Sequence, residues 1–389
     1  MDSIISPDSH FILFFIVAGA AAFGIYSEHK KWFGKLSGIL VTMISMSILA
    51  MLGVLPVASN PNVKVEVYDM VFTYFIPISI PMLLFSSNLT KIVKESGKLL
   101  LAYIIGAIGI VLGCFLAVSL IDLGADSGNT AGVIAATLIG GSVNFIAAAE
   151  SLNFSTNPMF TATIAVDNLV SNLYTLFLFL TPSLMFLSRF FVKPKKENEI
   201  DSNEGSQKNE YPMTLERIAV SVFIAALIAG AGTFIAPYLE RLIQTDINLS
   251  ILLITLFAVL AANLFPKHLK ALENTAFSIG IWMMYIFLAV IGAATNIHQI
   301  FEIGPAILGF YIVIMMFHFV FLLALAKLFK LDVYEVVISS AANIMGPSVA
   351  APMAASMGQK KLITPGILVG ILGYIIGTFV GVSIAVFLS

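Results

Sequence analysis

The sequence predicts an all-α polytopic membrane protein built from inverted repeats, with two broken helices or re-entrant hairpins crossing at the bilayer midplane. Three observations predict it: a composition foreign to soluble domains, apolar runs of membrane-crossing length throughout, and two glycine-broken stretches related by one offset. The 389 residues are 59% hydrophobic and 11% charged, with a mean hydropathy of +0.99, whereas an ordinary globular domain is about 25% charged. Such a chain needs lipid as its solvent.

Runs close to the roughly 20 residues that cross the hydrocarbon as a helix recur from Phe11 to Tyr26, Leu36 to Leu55, Leu99 to Ile121 and Ile303 to Lys327. Their unbroken apolarity reads as helix and not as the alternating pattern of a barrel strand. Asp2 and Asp8 precede the first run without any Lys or Arg, so the positive start of a secretory signal is missing and the run is expected to stay as a helix. Cys114 is the single cysteine, which leaves no disulfide framework or cysteine metal site. The net charge of −2 and the absence of a basic cluster give nucleic acid no footing.

The broken stretches are Ala135 to Leu152 and Ser340 to Met357, which align without a gap at an offset of 205 residues, pairing Ile139 with Ile344, Gly141 with Gly346 and Ser151 with Ser356. Each is a run of small residues interrupted by Gly-Gly or Gly-Pro. Paired interruptions at matching places in two halves of a membrane chain point to a transporter's binding site. The same offset pairs Phe85 to Ile92 with Val290 to Ile297. We therefore divide the chain into a first transmembrane repeat over 1–191, a polar cytoplasmic linker over 192–213 and a second, inverted repeat over 214–389.

Loop charge sets the orientation, because short cytoplasmic loops carry excess Lys and Arg. The candidates are Lys30/Lys31/Lys35, Lys91/Lys94/Lys98, Arg189 to Lys196, Lys267/Lys270 and Lys327/Lys330. If every apolar run crosses, the loop at Arg189 falls on the wrong side. If the two broken stretches instead enter and return on one side, all five loops are cytoplasmic, and Lys360 and Lys361 join them. This gives roughly ten crossings plus two re-entrant hairpins, the first dipping from outside and the second from the cytoplasm. The alternative keeps the broken stretches as crossing helices and adds a crossing elsewhere, for about 11 or 13 in all.

Chemistry concentrates at the breaks. Gly140 and Gly141 free the backbone, Ser142 and Asn144 add a hydroxyl and an amide, and the half-helix ends present unpaired N–H groups that suit a carboxylate. Carbonyls with Ser142, Asn144 and Asp167 are the candidate ligands for Na⁺. The second break offers Asn343, Gly346 and Ser348, with Pro347 barring a regular helix. Asp167 lies well inside a helix beside Asn168, and a bare carboxylate at the bilayer centre costs about 2.5–3.5 kcal/mol, so it should face the interior and bind a cation or proton. Its partner at the 205-residue offset is Leu372, which makes the acid a one-sided device. His318, alone on an apolar helix, reads as a packing residue. Asn88, Thr90, Thr295 and Asn296 are polar near helix ends, and Glu150 follows the first break.

Gly140-Gly141-Ser142-Val143-Asn144, Asp167-Asn168 and Asn343 to Ser348 together resemble the YjcL-like family of bacterial membrane proteins of unknown function, over essentially the whole chain. That family in turn resembles the cation/proton antiporters and the bile-acid, glutamate and hydroxycarboxylate transporters. The resemblance implies an elevator-type carrier in the bacterial inner membrane, with Gly140, Gly141, Ser142 and Asn144 as one half of the site and Asn343, Gly346 and Ser348 as the other, and a homodimeric assembly. Asp167-Asn168 looks like the acidic pair of the antiporters, departing from it by one amide.

The expected function is a secondary active transporter that couples Na⁺ or H⁺ to a small organic anion, with a monovalent cation/proton antiporter as the alternative. No cofactor beyond the coupling ion is expected. An intramembrane enzyme is disfavoured because the Gly-Ser pair at Ser142 lacks the Gly-x-Ser-x-Gly setting and the five histidines are scattered.

Overall fold

The computed structural model describes residues 3–33, 38–56, 65–183, 191, 211–244, 248–294 and 297–389. The linker proposed at 192–213 lies outside them up to 210, as do Lys35, Thr295 and Asn296. Among the described residues the fold is all helical, without a β-strand, and eight helices are long and apolar enough to cross a membrane. They include α1 (His10–His29), α6 (Gly97–Leu120), α9 (Pro158–Leu180), α10 (Leu215–Ile243), α13 (Glu273–Ala294), α14 (Ile297–Ala326) and α17 (Ile363–Leu388). The eighth runs from Glu66 to Leu84 as α3 (Glu66–Met70), a π-helical turn over Val71–Phe75 and α4 (Ile76–Leu84). The wide turn ends two residues before Pro77, whose ring cannot continue a regular ladder.

Shorter elements complete the chain: α2 (Gly38–Met51), α5 (Leu89–Glu95), α7 (Ser127–Gly140), α8 (Ser142–Ser151), α11 (Leu249–Leu264), α12 (Pro266–Lys270), α15 (Val333–Met345) and α16 (Pro347–Ser356). Their starts have local causes. Asn157 caps α9 by accepting from the Met159 N–H at 2.8 Å, with Pro158 pre-set for the first turn. Asp332 and Glu335 form a capping box on α15. Asn88 caps α5, accepting from the Lys91 N–H at 2.9 Å, so ordinary end-of-helix polarity explains it.

The 205-residue spacing recurs in these bounds. The pairs α1 and α10, α8 and α16, and α9 and α17 each begin 205 residues apart, and α7 and α15 end 205 apart. Contacts between elements at this spacing are antiparallel. Along α6 and α14, Gly109 meets His318, Gly113 meets Ile314 and Ile121 meets Gly309, and between α4 and α13 the Ser79 hydroxyl donates to Met284 Sδ at 3.2 Å while Leu83 packs on Gly280.

Glycines on α17 let two other helices pack closely on it. In lipid no hydrophobic force presses helices together, so close approach through small residues supplies the attraction. On α17, a Cβ at Gly381 would meet the Gly132 carbonyl of α7 at 2.5 Å, and one at Gly370 would meet Pro347 Cδ of α16 at 2.7 Å. Thus α7 and α16 lie along successive lengths of α17, each antiparallel to it. The start of α9 returns to the start of α7, since Asn157 Nδ2 at the cap of α9 donates to Asp126 Oδ1 at the cap of α7 at 3.1 Å. In the second pair, Ile338 of α15 and Ala350 of α16 both flank Gly366.

Candidate functional site

Both interruptions are single glycines with matching backbones: Gly141 at φ 78°, ψ −177° and Gly346 at φ 70°, ψ −164°. This region of dihedral space is essentially reserved for glycine, which is why the sequence breaks where it does. The two lie against each other: a Cβ on Gly141 would sit 3.9 Å from the Met345 carbonyl carbon and 4.0 Å from the Gly346 nitrogen. The ring of Tyr374 on α17 covers both, 3.8 Å from the first such Cβ and 3.3 Å from the second.

Around this junction the residues singled out from sequence take different stations. Gly140 is buried against Gly373. Ser142, first residue of α8, is exposed although the rest of α8's first two turns is buried, so the break opens to solvent-sized space. Asn144 is 2% exposed, and its amide is spent on α17: Nδ2 donates to the Gly373 carbonyl at 2.6 Å, and Oδ1 accepts from Thr378 Oγ1 at 3.2 Å. Asn343 is fully buried, and its Nδ2 donates to the Tyr103 carbonyl at 3.3 Å while its Oδ1 has no partner. The side chains of Asn168 and Ser348 lie outside the described ones. Glu150 sits at the far end of α8, half-buried, with Oε1 lacking a partner.

Asp167 reaches α7 and α14. Its Oδ1 accepts from the Tyr311 hydroxyl at 3.0 Å, while Ser171 Oγ stands 3.5 Å from the same oxygen and Thr137 Oγ1 stands 3.5 Å from Oδ2. A proper O–H···O bond is nearer 2.8 Å, so these two hydroxyls ring the carboxylate without saturating it. Thr137 lies one turn before Gly141, which brings the acid beside the first break. These neighbours are all hydroxyls, and among the described residues no cationic side chain pairs with Asp167.

Sequence reasoning missed four contributors: Tyr103, whose hydroxyl donates to the Ile139 carbonyl at 2.5 Å, Thr137, Tyr311 and Tyr374. Tyrosines inside apolar helices were the available signal, because a buried phenol needs a partner for its O–H.

The family profile described as "Protein of unknown function (DUF819)" matches residues 15–389. The chain is also 32% identical over 394 residues to the uncharacterized membrane protein YjcL of Bacillus subtilis (strain 168), covering 98% of this chain and 97% of the relative. With the apolar helices, these likenesses make it a multi-pass membrane protein.

Proposed function

We propose that this chain, which belongs to the DUF819 family, is a secondary active transporter of the bacterial inner membrane that couples Na⁺ or H⁺ to a small organic anion. The observation that carries the reading is the meeting of two glycine breaks beside one carboxylate that has no cationic partner among the described residues. A buried acid without a counter-charge must hold a proton or a metal cation to be tolerated. Asp167, with the hydroxyls of Thr137, Ser171 and Tyr311, offers oxygen ligands only, which suits Na⁺ or H⁺.

The broken pairs are read as re-entrant hairpins in inverted repeats. The Asn157–Asp126 bond, which brings the start of α9 back to the start of α7, supports re-entry, and the antiparallel pairing of α6 with α14 and of α4 with α13 supports inversion. Eight long helices together with α2 and α11 would then make the ten crossings. At each break one half-helix starts, leaving at the first the N–H groups of Ser142 and Val143 without intrahelical acceptors, and the Tyr374 ring covers the same junction. An anion held there and a cation at Asp167 would neutralise one another. The hairpins pack with α6, α9, α14 and α17, whereas α1, α2, α4, α10, α11 and α13 pack mainly among themselves, a division that suits an elevator-like movement of one block past the other.

Thermal unfolding in detergent with Na⁺, Li⁺ or K⁺ and a panel of carboxylates tests the reading, since a ligand of the folded state raises the melting temperature. Stabilisation by a carboxylate that requires Na⁺ or low pH supports symport. The second reading, a monovalent cation/proton antiporter, is favoured by the self-sufficient oxygen ring at Asp167. Ion-driven proton movement in vesicles without any solute would select it.

A further inference from the structure

His318 is a buried titratable side chain with no part in the proposed transport. His318 on α14 is fully buried, with Nδ1 2.8 Å from the Gly106 carbonyl of α6 and Nε2 2.8 Å from Ser340 Oγ of α15. Ser340, also fully buried, lies 2.9 Å from the Tyr174 hydroxyl of α9. Four helices thus meet in one chain of hydrogen bonds, and its direction follows from elementary bonding rules. A carbonyl only accepts, so Nδ1 carries the ring hydrogen. In the neutral ring Nε2 accepts from Ser340, and Tyr174 then donates to Ser340. Every donor and acceptor is used when the ring is neutral.

The two breaks are fixed in unlike ways. The first is pinned within one turn, by Asn144 bonding α17 through both amide atoms and by Tyr103 bonding the Ile139 carbonyl. At the second, Asn343 contributes one long bond of 3.3 Å and an amide oxygen without a partner. Its firm hydrogen bonds lie upstream, at Ser340, six residues before Gly346 and on the same helix. We propose that His318 is a positioning residue: acting through Ser340, it sets the depth at which α15 presents Asn343 and Gly346 at the junction. Gly106 closes the geometry, since a Cβ there would overlap the Asn343 amide oxygen and come within 2.9 Å of His318 Cε1. The imidazole and the Asn343 amide thus flank the same bare glycine. The importance of that position for transport rests on the reading of the breaks as the solute site, but the position itself does not.

The test uses the full-length protein in micelles with Met345→Cys as a reporter at the break and a small maleimide as the probe. Ser340→Ala and His318→Asn both remove the Ser340–imidazole bond, and each is expected to change the alkylation rate about tenfold, the factor for one buried hydrogen bond of about 1.4 kcal/mol. The double variant should be no worse than either single, because the two act through one bond. His318→Gln places an acceptor at the ε position and should restore a rate near that of the reporter alone. Equal effects of His318→Asn and His318→Gln, or unchanged rates throughout, overturn the proposal. Should these variants fail to fold, ¹⁵N spectra of the protein with the other four histidines replaced decide it: a neutral ring protonated on Nδ1 is expected, and an Nε2–H or doubly protonated ring overturns it. No solute enters either measurement, so it can fail while the transporter reading stands.

Discussion

Gly141 and Gly346, 205 residues apart in the chain, meet back to back under the ring of Tyr374. Each adopts a backbone that side chains resist, and each ends one half-helix and starts another within a single residue. A site assembled this way draws donors and acceptors from the main chain, so its integrity depends on backbone geometry more than on any one side chain.

Alanine at either glycine should therefore be costly. Gly141→Ala is expected to lose about 1–3 kcal/mol from the strained backbone alone. Gly346→Ala should lose more, because its new Cβ lies 3.3 Å from Tyr374, and Tyr374→Ala should recover part of that excess. Denaturant unfolding in micelles measures both.

Asp167→Asn should fold nearly as well as the parent, since an amide oxygen can still accept the Tyr311 hydroxyl now 3.0 Å away. It should remove any dependence of the melting temperature on Na⁺ or on pH and abolish coupled transport. Retention of full ion-dependent stabilisation by this variant would exclude the carboxylate as the coupling group.

Tyr103→Phe leaves the Ile139 carbonyl without the hydroxyl that now reaches it at 2.5 Å. A buried acceptor stripped of its donor costs about 1–3 kcal/mol, and thermal unfolding should register that loss. Ser142→Ala, at an exposed position, should leave stability within about 0.5 kcal/mol of the parent while weakening any carboxylate found to stabilise the protein.

Sidedness gives an independent check. Cysteines at Asp122, just after α6, and at Lys361, just before α17, are both exposed and should react from opposite faces of inside-out and right-side-out vesicles. Lys361→Cys is expected to label only from the cytoplasm, and its labelling from outside would remove the hairpin topology.

The sequence made the interruptions legible because only glycine tolerates their dihedrals, and the gapless alignment placed Gly141 opposite Gly346 before any geometry was known. Asp167 stood out for the same kind of reason, as a charge in a setting that penalises charge. What stayed hidden is partnership. Nothing in the one-dimensional pattern says that Tyr311 answers Asp167 across 144 positions, or that Asn144 spends its amide on Gly373 and Thr378. Nor did it reveal Ser340, a hydroxyl among many, as the link between Tyr174 and His318. Such choices are made by helix rotation and packing depth, which apolar periodicity leaves unspecified when a helix is apolar all round.

Because α7 and α16 share α17 as a common rail, with Gly381 facing one and Gly370 facing the other, neither can be adjusted without disturbing its counterpart. A bulky replacement at either glycine tilts a helix that both segments lean on. A change at the junction is thus better tolerated at the exposed Ser142 than on the rail, where each alteration is felt by both segments.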